Sequence, residues 1–97
     1  MSRTIIAGNW KMNMTVAEAR DLVKAMIPGL QAVGEVERIV CPPFVALEAV
    51  GGLLRGTDIG LGAQNLHYED KGALTGEVSA SMLAGLCEFV IVGHSER

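Results

Sequence analysis

Four groups of residues in this 97-residue chain each stand at the end of a short apolar run. Asn9, Trp10 and Lys11 follow the first run, and Cys41-Pro42-Pro43 the second. Gln64 and Asn65 follow the third, and Gly93-His94-Ser95-Glu96-Arg97 the fourth. The set combines a cation, an imidazole, amides and a carboxylate. A lysine presents a point charge to an anionic substrate, and an imidazole gives or takes a proton near neutral pH. Taken singly, each residue has a duller reading. Lys11 is then a solvated loop lysine, Asn9 a turn residue, and His94 a polar group that caps a helix or ends a strand. Their joint placement makes them a candidate site, because in βα architectures ligand groups gather beyond the C-terminal ends of the strands.

Other constellations carry less. Gly60-x-Gly62 and Gly51-Gly52 lack the strand-to-helix context of a phosphate-binding glycine loop, and no G-x-x-x-x-G-K-[ST] is present. His67, Glu69 and Asp70 could ligate a metal but read more naturally as a solvated loop. Met12 and Met14 read as gap fillers, and Tyr68 as an interface residue or one packed beneath its loop.

The elements that must position the strand-end residues are legible as short continuous apolar runs. These are Thr4 to Gly8, Arg38 to Cys41, Ile59 to Ala63 and Phe89 to Gly93. Unbroken rather than alternating hydrophobicity suits strands covered on both faces, as in parallel sheets. Between the first two runs, Thr15 and Glu18 form a capping box, followed by an apolar stripe of Val16, Ala19, Val23, Met26 and Leu30. Pro28 lacks a backbone donor, which predicts that this helix kinks or ends near Ile27. A second helix is predicted from Pro43, with Leu47, Val50 and Leu54 on one face and Gly56 at its end. Gly51-Gly52 should weaken it by roughly 1 kcal/mol per glycine. A third, Ser79 to Leu86, would turn Met82, Leu83 and Leu86 inward. The order is therefore β-α-β-α-β-α-β, with parallel strands through right-handed crossovers. The long irregular stretch from Asn65 to Val78 is of a length usually reserved for function or interfaces.

Composition bounds the partners. Apolar residues make up 49% and charged residues 20%, too apolar for a disordered chain. The net charge of −3 leaves no basic footprint for nucleic acid. No apolar run approaches the ~20 residues of a membrane span, and the N-terminal stretch is too short for a signal peptide. Cys41 and Cys87 stand in neither a CxxC nor a zinc spacing, which predicts reduced thiols and a cytoplasmic location. One domain, residues 1–97, is expected.

Five motifs in order carry a family resemblance. Ala7-Gly8-Asn9-Trp10-Lys11-Met12-Asn13 resembles the opening motif of the triosephosphate isomerases. Cys41-Pro42-Pro43 and Gly62-Ala63-Gln64-Asn65 resemble the ends of that family's second and third strands. Gly72-Ala73-x-Thr75-Gly76-Glu77-Val78-Ser79 is similar to its protruding dimer loop, and Val92-Gly93-His94-Ser95-Glu96-Arg97 to its histidine motif. The resemblance spans all 97 residues. It implies a (β/α)8 TIM-barrel fold, present here as about four of eight βα units, and interconversion of dihydroxyacetone phosphate and glyceraldehyde 3-phosphate in glycolysis and gluconeogenesis. No cofactor is implied.

By matching position, Asn9 and Lys11 would bind substrate, with Lys11 offsetting its charge. His94 would be the neutral electrophile that polarises the carbonyl and moves protons between the two oxygens. Glu96 would pair with Lys11, and Ser95 would support the base. Thr75 would reach into the neighbouring subunit of a homodimer and brace Asn9 and His94. The family's glutamate base, mobile lid and phosphate loops lie beyond Arg97, so the 97 residues alone are expected to be inactive. The alternative is a non-catalytic half-barrel that associates with itself or with a complementary half. An open-sheet phosphate-binding domain of flavodoxin type is a distant third, because the glycine-rich loop it needs is missing.

Overall fold

The computed structural model describes residues 4–69 and 71–92. The sheet is built from β1 (Ile5–Asn9), β2 (Glu37–Cys41), β3 (Gly60–Ala63) and β4 (Phe89–Val90), the first three within one residue of their apolar runs at each end. All three pairings are parallel and the spatial order is that of the sequence. Asn9 thereby lies beside Cys41, and Val40 beside Leu61, so the residues that follow β1, β2 and β3 share one end of the sheet. Gly93 lies outside the described residues, as do the four residues after it.

Two helices cover one face. Helix α1 (Val16–Gln31) starts at the expected capping box: Thr15 Oγ1 accepts from the Glu18 N–H at 3.2 Å, and Glu18 Oε1 accepts from the Thr15 N–H at 2.9 Å. The helix does not end near Ile27 but runs on through Pro28 to Gln31. Pro28 forfeits one backbone hydrogen bond near the C-terminal end of the helix, but Ile27 and Leu30 on either side pack against the core. Tertiary burial outweighs the local penalty.

Pro43 precedes a 3-10 turn (Phe44–Ala46), and helix α2 follows as Leu47–Leu54. Leu47, Val50 and Leu54 are buried together with Ala19 and Val23 of α1 and with Val40 and Leu61 of the sheet. Helix α3 is a single turn, Ala80–Leu83, with Ser79 as its N-cap. Of the three residues expected to face inward, Leu83 is buried, whereas Met82 and Leu86 are 60% and 41% exposed. One helical turn can direct only one such side chain at the sheet.

The other face of the sheet explains the glycines of β3. A Cβ on Gly62 would stand 2.8 Å from Cys41 Sγ, and one on Gly60 2.7 Å from the Phe89 ring. Ile39, Cys41 and Phe89 therefore fold across a lane that only glycine leaves open. This buries Ile39. Ile5 and Ile6 of β1 stay 60% and 59% exposed. Among the described residues no helix is long and apolar enough to cross a membrane, and Cys41 and Cys87 are free thiols.

Candidate active site

The end of β1 turns sharply. Asn9 Oδ1 accepts from the Lys11 N–H at 2.9 Å, and Asn13 Nδ2 donates to the Trp10 carbonyl at 2.8 Å. Asparagine side chains favour such turns because they stand in for a backbone carbonyl. Lys11 sits in the left-handed region at φ +56, which costs an L side chain about 1–2 kcal/mol. Its side chain is exposed at the C-terminal end of the sheet.

The neighbouring strands fasten this turn. The Trp10 N–H donates to the Cys41 carbonyl at 3.1 Å. Gln64, immediately after β3, donates through Nε2 to the carbonyls of Lys11 and Cys41 at 2.8 and 2.9 Å. The ends of β1, β2 and β3 are thus tied into one cluster around Lys11. Sequence reading placed Gln64 at a strand end and gave it no role, since no local pattern reveals a bond to a residue 53 positions away.

Of the predicted site residues, Asn9 and Lys11 are brought together with Gln64 and Cys41. His94, Ser95 and Glu96 lie outside the described residues, and with them the expected pairing of Glu96 with Lys11. Thr75 is exposed in the tight turn that the Glu77 N–H closes on the Leu74 carbonyl at 3.0 Å.

The irregular stretch is anchored at its base, where the His67 N–H donates to the Val78 carbonyl at 2.6 Å and His67 bridges to Ser79. His67 Nδ1 accepts from the Glu69 N–H at 3.1 Å, and its ring stacks on Tyr68 with centroids 4.4 Å apart. Tyr68 is exposed rather than packed beneath the loop. No group of three or more His, Cys, Asp and Glu poised for a metal occurs among the described residues, and Asp70 is outside them.

The two thiols are poor nucleophiles. Burial holds Cys41 above its ordinary range, and the nearby Cys87 pushes the same way. Burial also raises Cys87, against backbone hydrogen bonds that pull it down. Nucleophilic cysteine chemistry needs the opposite shift. What the cluster can do instead is fix the backbone beneath Lys11, whose side chain is exposed beyond the strands.

Comparison with known proteins agrees in sequence and in shape. The family model described as triosephosphate isomerase matches residues 4–97. A triosephosphate isomerase of Dehalococcoides mccartyi is 55% identical over 97 residues, all of this chain and 39% of the relative. One of Chloroflexus aurantiacus is 55% identical over 94 residues, 96% of this chain and 38% of the relative. The crystal structure of triosephosphate isomerase from Bartonella henselae superposes with a TM-score of 0.90 at 41% identity, covering 99% of this chain and 40% of that one. The chain spans about two fifths of the length of the relatives it matches. Its parallel sheet with alternating helices is part of a (β/α)8 barrel, and the chain belongs to the triosephosphate isomerase family.

Proposed function

We propose that these residues supply the substrate-binding part of a triosephosphate isomerase, which interconverts dihydroxyacetone phosphate and glyceraldehyde 3-phosphate by proton transfer. The observation that carries this reading is Lys11, held at the strand ends in a left-handed conformation by Asn9 and Gln64. Backbone strain of this kind persists where the surroundings over-determine it, and a fixed cation is what a phosphorylated triose requires. Aldose–ketose isomerisation moves protons and leaves the overall oxidation state unchanged, so it calls for no redox cofactor.

In this reading Asn9 and Lys11 bind substrate and Lys11 offsets its negative charge. His94 polarises the carbonyl and relays protons, Glu96 pairs with Lys11, and Ser95 supports the base. The loop bearing Thr75 docks against a second subunit of a cytoplasmic homodimer. Residues 1–97 form one continuous segment of the barrel rather than separate domains. The test is Lys11→Met in a full-length triosephosphate isomerase carrying this segment. Turnover should fall by at least about 10²–10³-fold while stability stays within about 0.5 kcal/mol. Wild-type kinetics would overturn the assignment.

A second reading concerns the 97 residues by themselves. Glu18 is engaged in the capping box, and Glu69 and Glu77 sit in the 65–79 loop, so none of these is placed to act as the carbon base at the strand ends. Assayed alone on glyceraldehyde 3-phosphate, the chain should show no turnover above background. Ile5 and Ile6, exposed on the edge strand β1, favour association of this piece with itself or with a complementary half. Sedimentation should give dimers or larger species, and a compact monomer with a sharp unfolding transition would refute it.

A further inference from the structure

Gln64 takes no part in substrate binding in the reading above, yet its side chain makes the connections that close the strand-end cluster. A primary amide nitrogen carries two N–H groups, and both are used, one on the Lys11 carbonyl and one on the Cys41 carbonyl. The Cys41 carbonyl also accepts from Trp10, so the amide is anchored on a group that the strand pairing already fixes. Lys11 is gripped on both sides: Asn9 Oδ1 accepts from its N–H, and Gln64 donates to its C=O. A left-handed lysine needs both, because releasing the carbonyl lets the peptide after Lys11 rotate towards the ordinary right-handed region. That rotation changes the direction of the Cα–Cβ bond and moves the ammonium at the end of a four-carbon stem.

We propose that Gln64 is a positioning residue, which holds Lys11 in its left-handed conformation and so directs the ammonium at the substrate anion. The proposal rests on the reading of Lys11 as the substrate cation. Its test uses a full-length triosephosphate isomerase carrying this segment, with Gln64→Leu, which keeps most of the bulk and removes both donors. Two quantities are read: kcat/KM for glyceraldehyde 3-phosphate, and Kd for glycerol 3-phosphate, a three-carbon phosphate that cannot isomerise. Gln64→Leu should lower kcat/KM and weaken Kd by roughly ten- to a hundredfold. In a Lys11→Met background the same change should shift Kd by less than about twofold, because the group being positioned is gone.

An equal loss of affinity in both backgrounds would mean a merely structural role and overturn the proposal. So would unchanged kinetics and affinity in Gln64→Leu alone. If Gln64→Leu fails to fold, Gln64→Asn carries the same comparison, since its amide is one methylene too short to reach both carbonyls. A Lys11→Met enzyme with unaltered Kd and kcat/KM is a separate result, and it removes the underlying site reading as well.

Discussion

Two cations mark the two ends of this sheet, and they are treated in opposite ways. Arg38, at the start of β2, is 4% exposed. Its guanidinium donates to the Val33 and Val36 carbonyls and pairs with Asp58, binding the connection into β2 to the one into β3. Lys11, past the end of β1, is exposed on a backbone held in the left-handed region. A guanidinium keeps its charge when buried, so it must be surrounded by acceptors, and its fork of donors suits several at once. The ammonium of Lys11 keeps its contact with solvent, and what is constrained is the backbone beneath it. At one end of the strands charge is used up in holding connections together. At the other, conformational energy is used to present charge, as expected where chemistry occurs at the C-terminal ends of strands.

Substitutions at the two ends should therefore separate stability from activity. Arg38→Met in the full-length enzyme leaves two carbonyls without their donor and should lower stability by about 2–3 kcal/mol, read from the urea midpoint. The kcat/KM of its folded fraction should be unchanged. Lost turnover at unchanged stability would break the contrast. Lys11→Gly should do the reverse. Glycine adopts φ +56 without strain, so stability should hold or rise by up to about 1 kcal/mol, while turnover disappears.

The smallest effect belongs to the capping box that restarts regular structure after the Lys11 turn. Thr15→Ala should cost about 1 kcal/mol by thermal unfolding, with little change in KM. The same box has a pH signature. The Thr15 N–H, and then its side chain, hold the Glu18 carboxyl below its ordinary value of 4.5. The folded state therefore takes up that proton less readily than the unfolded one. Its stabilisation is present above the ordinary value and is lost as pH falls through the folded one. Glu18→Gln, which leaves no carboxyl to titrate, should remove this part of the acid dependence, and an unchanged acid limb would show that the box contributes nothing there.

Elements specified by near neighbours were legible in the residues themselves. Unbroken apolar runs marked four strands, of which β2 and β3 are buried along their length while β1 and β4 are exposed in this chain. Thr15 and Glu18 marked the start of α1, because capping involves residues three apart. Asn9 and Lys11 stood out because they follow such a run. Contacts between distant residues were not legible. Helix α1 passes Pro28 because Ile27 and Leu30 reach the core. Gly60 and Gly62, which lack the context of a phosphate-binding loop, are the space into which Ile39, Cys41 and Phe89 fold. Gln64 found Lys11 across 53 residues, and Arg38 found Asp58 across 20. Propensity, periodicity and capping act within a few residues of backbone and can be read along the chain. Which amide meets which carbonyl, and which side chain fills which gap, is decided when the strands come into register, and only the tertiary structure sets that.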